Sequence, residues 1–225
     1  MIRYLAPLML FASPVAAQSV SLPGGCEAYV TVQKRGCTVS TLFRCEADPE
    51  GHQRRMDFNE DGLTYAGMID FETRWIESFY AEGAYTDRLA PNPVDPASFS
   101  DLIETGYDDW DFGTISDPFA ETVYRGYDRL TGVVVVVDGV TLEQTEFDVV
   151  AYDTNGNELW QTVGNEFIHR DWRTFLSGTR TITTPTEVFE TDGRPVEFAF
   201  PGEDGFQSSE PRYDCGVMLS KGGTP

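Results

Sequence analysis

Short turn-forming sequences recur along the whole chain and separate runs of β-branched and aromatic residues. Asp-Gly and Asn-Gly supply the positive φ angles that tight hairpin turns require. Runs of about ten residues between such turns are typical of successive antiparallel strands in a meander. The turn sequences are Glu60-Asp61-Gly62, Asp138-Gly139, Asn155-Gly156, Asp192-Gly193 and Asp204-Gly205.

Two regions show the strand pattern most clearly. From Leu63 to Trp75, apolar and polar residues alternate with a period of two, which predicts one long strand with a bend at Gly67. Residues 133–176 contain two of the turn sequences between apolar runs and predict at least three successive antiparallel strands.

Residues 81–122 interrupt this pattern. Prolines end the strand signal, and "VDPASFSDLIETG" predicts a short helix with Asp95 as its N-cap and Gly106 at its C-terminal stop. The apolar face of that helix is Phe99, Leu102 and Ile103. The stretch "TGYDDWDFGTISD", residues 105–117, then reads as a loop leaving the helix.

The predicted fold class is therefore all-β and mainly antiparallel. An up-and-down meander forms a barrel or half-barrel, and one short helix in the 81–122 insertion covers one mouth. The general plan is similar to that of exported lipid carriers and lipocalin-like proteins, which is an analogy of architecture and not of sequence motifs.

The first seventeen residues have the features of a cleaved secretory signal. Arg3 precedes an apolar run, and Val15 and Ala17 are small residues before the expected cut. We expect residues 18–219 to form a single β-barrel-like domain and residues 220–225 to form a flexible tail. No later segment has the length of a transmembrane helix. These features predict an exported protein, periplasmic or secreted.

Four cysteines in an exported chain predict two disulfides. Four cysteines allow three pairings, and strand geometry favours one of them. A two-residue turn at Arg35-Gly36 sets Cys26 opposite Cys45, close enough to bridge. Cys37 is then left for Cys215, which ties the C-terminus to the first hairpin, as in a barrel that closes its first and last strands.

The net charge of the chain is −21, and lysine occurs only at positions 34 and 221. Binding to nucleic acid or to an anionic membrane requires a basic patch, so neither is an expected partner. The acidic residues are spread along the chain, which favours a role in solubility over a dedicated cation site.

Catalytic motifs are scarce. The chain has two histidines, His52 and His169, and lacks H-E-x-x-H, G-x-S-x-G, P-loop and G-x-G-x-x-G sequences. A Ser-His-Asp triad assembles only in space, so the sequence leaves it open with a low weight. Carboxylate pairs are too common among 37 acidic residues to indicate a glycosidase.

Two stretches carry the candidate binding residues. In residues 105–117, Asp108, Asp109 and Asp111 are candidate calcium ligands, although their spacing is not that of an EF-hand. The preferred alternatives are a solvated loop and a pocket rim formed by Tyr107, Trp110 and Phe112. In "NEFIHRDWRTF", residues 165–175, Arg170 is a candidate partner for an anionic head group, and the alternative is an ion-pair lattice on the surface.

The leading hypothesis is an exported, non-enzymatic binding or carrier protein for a small amphipathic or lipid-like ligand. No cofactor is expected apart from the candidate Ca²⁺. The sequence leaves two alternatives open: an acidic structural or interaction protein of the cell envelope, and, with less weight, a carboxylate-based hydrolase. It does not indicate an oligomeric state.

Overall fold

The computed structural model describes residues 19–117 and 121–216, so the predicted signal (1–17) and tail (220–225) lie outside the described residues. These residues form thirteen strands and one helix. The elements are β1 (Cys26–Lys34), β2 (Thr38–Cys45), β3 (Gln53–Asn59), β4 (Gly62–Ile69), β5 (Trp75–Tyr80), β6 (Tyr85–Leu89), α1 (Phe99–Thr105), β7 (Tyr107–Ser116), β8 (Thr122–Val137), β9 (Val140–Tyr152), β10 (Glu158–His169), β11 (Thr174–Thr183), β12 (Val188–Asp192) and β13 (Pro195–Ala199).

All thirteen strands belong to one antiparallel sheet, in which β1 to β12 follow one another in chain order and β13 pairs with β1. β12 is hydrogen-bonded to β11 and β13 to β1, so the segment 188–199 reaches both edges of the sheet. Asp192-Gly193, which the sequence suggested as a hairpin turn, is instead the point where this segment changes partner. The sheet is not closed strand to strand. The all-β meander in a barrel or half-barrel with one short helix is confirmed.

The first hairpin contains both predicted cysteine contacts. Cys26 pairs with Cys45 in the sheet, and the structure contains the Cys26–Cys45 and Cys37–Cys215 disulfides. The turn is one residue longer than predicted and includes Cys37, which has a positive φ of 52°. A register shift between Ala28 and Val30 offsets this extra residue, which is why Cys26 still faces Cys45.

The long strand predicted from Leu63 to Trp75 is wrong, because the chain turns back on itself within it. β4 ends at Ile69, β5 begins at Trp75, and the two strands pair antiparallel. The carboxylate of Asp70 makes this turn by accepting hydrogen bonds from the backbone N–H groups of Glu72 and Arg74, at 2.9 and 3.1 Å. An Asp side chain that binds nearby backbone N–H groups replaces the glycine or proline of a more obvious turn.

The predicted insertion is shorter than 81–122, because β6 and β7 within it are members of the sheet. Most of residues 105–117 belong to β7, so the prediction of a loop there is wrong. The helix begins later than predicted: its N-cap is Ser98, whose hydroxyl accepts from the Asp101 backbone N–H, and not Asp95. The C-terminal stop at Gly106 is confirmed, since Gly106 adopts the left-handed conformation.

A packed cluster of apolar side chains joins the first and last strands to β9, β10 and β11. Its members are Val30, Val32, Leu42, Val140, Leu142, Phe167, Leu176 and Phe198. The segment after β13 runs along β1, where Gln33 accepts from the Arg212 backbone N–H and donates to the Glu210 carbonyl. Within residues 19–117 and 121–216, no helix has the length and apolar content needed to cross a membrane.

Candidate functional site

A cavity of about 1130 Å³ lies within the sheet. Its lining comes from β1 to β12 together with the segment before α1 and the β12–β13 junction. Ligand pockets usually measure about 300–1000 Å³, so this cavity is large enough for a small organic molecule with an extended apolar part. Its lining divides into an aromatic side and a charged end.

The aromatic side, called here the aromatic wall, lies mainly on β7 to β10, and Trp75 of β5 packs on it. The centroids of neighbouring rings lie 5.3–5.9 Å apart in five pairs, a spacing typical of favourable aromatic contacts. Gly126 of β8 makes room for the Trp110 ring, since a Cβ there would lie 2.8 Å from that ring. The wall consists of Trp75, Trp110, Phe112, Tyr124, Phe147 and Trp160.

The charged end begins with three side chains from β1 and β3. Lys34 Nζ lies 3.5 Å from one carboxylate oxygen of Asp57, and Arg55 Nε lies 3.1 Å from the other. The Ser40 hydroxyl also donates to Asp57 at 2.6 Å. Burial works to raise the pKa of Asp57, but Arg55 and Lys34 outweigh it and hold the pKa below its usual value. Asp57 is therefore a carboxylate shared by two cations.

Two further carboxyl groups, Asp128 and Glu166, line the same cavity. Burial raises the pKa of Asp128 to about 7, helped by the nearby Glu166 and opposed by the indole N–H of Trp110, which donates to Asp128 at 3.2 Å. Burial also raises the pKa of Glu166, although Arg180, Arg55 and Lys34 act in the opposite direction. Asp128 therefore connects the aromatic wall to the charged end, and both acids retain protons more readily than exposed carboxyl groups.

The short helix is held in place by one arginine on the β10–β11 turn. The Arg173 guanidinium donates to the Phe71 carbonyl (2.7 Å), to the Glu72 carboxylate (3.2 Å) and to the Ser100 hydroxyl (2.9 Å). Glu72 in turn accepts from the backbone N–H and the hydroxyl of Ser100, in the first turn of α1. Arg173 thus joins the β10–β11 turn, the β4–β5 turn and α1.

The four candidate ligand-binding residues fall in different places. Trp110 and Phe112 are 7% and 5% exposed and belong to the aromatic wall. Tyr107 is 44% exposed and stacks on Tyr127 at 5.7 Å, away from the cavity lining. Arg170 is also outside the lining; it pairs with Glu143 and donates to the Ile103 carbonyl. The structure therefore brings only Trp110 and Phe112 together in the cavity.

The three candidate calcium ligands do not converge. Along β7, Asp108 is buried on the same face as Trp110, whereas Asp109 and Asp111 lie on the opposite face, where Asp111 pairs with Arg125 at 2.8 Å. In the part of the chain that the structure describes, one group of three potential metal ligands lies within 4.8 Å, Cys37, Glu60 and Cys215. Two of these are joined in a disulfide.

Sequence reasoning missed the charged end and the role of Arg173. Lys34, the Arg55–Asp57 pair and Glu166 lie on three separate strands, and only the rolling of the sheet brings β1, β3 and β10 together. The sequence "QRRMDFN" does indicate a charged interior face, because Arg55 and Asp57 are two residues apart and therefore lie on the same face of β3. Charged residues on the inward face of a barrel strand indicate a polar interior.

Comparison with protein-family models, with curated proteins and with solved structures gives no match for this chain. The cavity and the side chains that line it are therefore the basis for assigning a function.

Proposed function

We propose that this protein is an exported, non-enzymatic binding or carrier protein that holds a small amphipathic or lipid-like ligand in the cavity of its sheet. The observation that carries the proposal is the division of one cavity of about 1130 Å³ into an aromatic wall and a charged end. An amphipathic molecule matches both parts at once, because its apolar part lies on aromatic rings and its polar part meets hydrogen-bonding groups.

The two parts of the cavity set opposite requirements. Covering the aromatic wall with apolar ligand surface contributes roughly 25 cal/mol per Å² removed from water. A purely apolar ligand that reached the charged end would remove water from Arg55, Asp57 and Glu166 without replacing its hydrogen bonds, which is costly. A ligand with one polar end avoids that cost.

Export is part of the proposal. The two disulfides fit an oxidising compartment, where such bonds persist. The predicted signal at residues 1–17 adds a route to that compartment. A carrier in the periplasm or outside the cell has to shield apolar molecules from water, and the cavity provides such a shield.

The first test is native mass spectrometry of the protein purified from a host that exports it. We expect a mass increment from a co-purified amphipathic molecule. Titration of the ligand-free protein with dodecanol is expected to change its tryptophan fluorescence, because Trp75, Trp110 and Trp160 line the cavity. A protein that carries no molecule and shows no dodecanol response would contradict the proposal.

Two variants locate the fluorescence response. Trp160→Phe removes a wall residue and is expected to reduce the dodecanol-induced change. Trp172→Phe is the matched control, since Trp172 stacks on His169 at 3.8 Å and is not part of the cavity lining. An equal loss of signal in both variants would place the dodecanol outside the cavity and count against the proposal.

A carboxylate-based hydrolase is the second candidate, and one observation favours it. Asp128 and Glu166 are two carboxyl groups with raised pKa values in one cavity beside aromatic residues, an arrangement found in acid–base active sites. The test is a panel of glycoside and ester substrates with wild-type protein and the Asp128→Asn and Glu166→Gln variants. Turnover that both variants abolish would establish the hydrolase, and a panel without turnover would reject it for those substrates.

A further inference from the structure

The side chain of Arg55 lies in the cavity with its hydrogen-bonding capacity unused. Its Nε is buried and has no hydrogen-bond partner, because Asp57 lies 3.1 Å away but out of line with the N–H. No acceptor among residues 19–117 and 121–216 receives a hydrogen bond from the other guanidinium nitrogens either. The neighbouring Arg54 shows the usual arrangement, in which Nε and Nη2 both donate to Asp48 at 2.6 and 2.8 Å. Arg55 therefore presents a free fork of N–H donors to the cavity.

The tyrosine beneath Arg55 holds this fork in position. The guanidinium carbon lies 4.9 Å from the centre of the Tyr65 ring, a favourable cation–π distance. The Tyr65 hydroxyl is fixed in turn by a 2.9 Å hydrogen bond with Ser78. A guanidinium that is positioned by a ring and by one misaligned carboxylate is ready to bind two oxygens of a planar or tetrahedral anion.

In the described part of the chain, Lys34 and Arg55 have a single carboxylate between them within salt-bridge distance, that of Asp57. Lys34, Arg55 and Arg180 all line the cavity. Lys34 is one of only two lysines in a chain of net charge −21, and it is 6% exposed. A buried cation needs a compensating partner, and one shared carboxylate cannot fully compensate both Lys34 and Arg55.

Among the described residues, the other acidic groups of the cavity lie beyond salt-bridge distance of Arg55 and Lys34. Burial raises the pKa of Glu166 and of Asp128, so both carboxyl groups keep a proton more readily than exposed ones do. The acidic residues on the outer surface also repel an anion in the cavity only weakly, since exposed charges are screened over about 8 Å at physiological salt.

We propose that the ligand is an anionic amphiphile, whose carboxylate or other acidic oxygen group binds the Arg55 fork beside Lys34 while its hydrocarbon part lies on the aromatic wall. This inference rests on the proposed function, because it names the chemical class of the ligand for the same cavity. The anion supplies the acceptors that Arg55 lacks and balances the charge that Asp57 leaves uncompensated.

The experiment is isothermal titration calorimetry at pH 7 with three probes of equal chain length: dodecanoate, dodecanol and dodecyltrimethylammonium, each below its micelle concentration. We expect dodecanoate to bind about tenfold more tightly than dodecanol or better, since a hydrogen bond to a charged group is worth that much. We expect dodecyltrimethylammonium to bind most weakly.

Variants assign the head group to Arg55. Arg55→Gln is expected to lower dodecanoate affinity by about 10- to 100-fold and to leave dodecanol affinity unchanged. Arg55→Lys is expected to retain part of the dodecanoate preference. Arg125→Gln is the matched control, because Arg125 also pairs with an aspartate but lies on the outer face of β8; it is expected to bind all three probes as the wild type does.

The outcomes separate this inference from the proposed function. If dodecanol or dodecyltrimethylammonium binds the wild type as tightly as dodecanoate, the ligand is not selected for its negative charge, and the anionic inference is wrong while an amphipathic ligand remains supported. If none of the three probes binds, both proposals fail. The wild-type comparison decides the inference even if Arg55→Gln does not fold.

Discussion

The packed cluster and the aromatic wall are two apolar regions of the same sheet with different consequences. Members of the packed cluster are mostly aliphatic, are 0–7% exposed and, apart from Leu42, do not line the cavity. Trp110, Phe112, Tyr124, Phe147 and Val149, from the wall region, are 5–9% exposed, and all five line the cavity. The first region fills space between strands, whereas the second leaves space beside it.

The chemistry of the side chains accounts for this difference. Branched aliphatic residues such as Val32 and Leu142 interlock from several strands at high density. Large rigid rings such as those of Trp75, Phe112 and Tyr124 contact one another at 5.3–5.5 Å and can line a cavity without filling it. Stability is therefore expected to depend mainly on the packed cluster, and ligand binding on the wall.

Two phenylalanines on neighbouring strands test this division most directly. Phe167 of β10 lies in the packed cluster, and Phe147 of β9 lies in the wall. Phe167→Ala is expected to lower the free energy of unfolding by about 3–5 kcal/mol, measured by urea denaturation. Phe147→Ala is expected to cost less than about 3 kcal/mol, because one side of its ring already borders empty space and has fewer contacts to lose.

Dodecanol binding completes this comparison. Phe147→Ala is expected to change the dodecanol affinity, and Phe167→Ala is expected to leave it unchanged under conditions where the variant is folded. Equal losses of stability, with unaltered dodecanol affinity in both variants, would show that the two regions do not differ in the way described.

The next expected effect concerns α1, which Arg173 joins to the β4–β5 and β10–β11 turns. Arg173→Gln removes a charged donor from Phe71, Glu72 and Ser100 and is expected to lower the free energy of unfolding by about 1.5–3 kcal/mol. Hydrogen exchange measured by mass spectrometry is expected to become faster in α1 and to stay unchanged around Leu142, because Arg173 ties down the helix and not the packed cluster.

Arg170 offers a matched control on the same turn. Its side chain is 44% exposed, and its ion pair with Glu143 and its one hydrogen bond to the Ile103 carbonyl of α1 both lie at the surface, so Arg170→Gln is expected to change stability by no more than about 1 kcal/mol. Faster exchange that is spread over the whole sheet in Arg173→Gln, or equal effects of the two variants, would contradict the assignment of Arg173 as the residue that fastens α1.

Sequence patterns predicted turns and strand pairs well where interactions between residues close in the chain determine them. The Asp138-Gly139 hairpin has both residues at positive φ, as the dipeptide indicates. Asp70 shows where such patterns fail. Its side chain forms a turn without Gly or Pro, and the alternation of apolar and polar residues continues through that turn unchanged. At β1–β2 the predicted pair Cys26 and Cys45 is correct although the turn is one residue longer, since a register shift near Ala28 compensates.

The candidate site was less accessible to such reasoning. Trp110 and Phe112 were identified because aromatic residues between aspartates stand out in the sequence. Arg55 and Glu166 come together only when β3 and β10, more than 100 residues apart in the chain, face the same cavity. Period-two alternation tells which residues share a face of one strand, but not which distant strands face one another.

The last comparison uses the two faces of β7 to test burial on the wall side. Asp108 is on the same face as Trp110 and Phe112. Burial raises its pKa to about 7, although the hydrogen bond that its carboxylate accepts from the Ser98 backbone N–H acts to lower the pKa. Between pH 4 and 7 the folded state keeps a proton that the unfolded state has lost. Ionisation therefore costs stability as the pH rises, and the loss is complete above pH 7.

Asp108→Asn removes this titration and retains an oxygen that accepts from Ser98. Its stability relative to wild type is expected to increase from pH 4 to pH 7, by at most about 1.4 kcal/mol per pH unit, and then to level off, as measured by urea denaturation at each pH. Asp109→Asn, on the exposed face, is the control and is expected to show no such trend. A parallel trend in both variants would mean that the wall face of β7 is no better shielded from water than the outer face, and the distinction between a sheltered interior and a solvated exterior would fail at this strand.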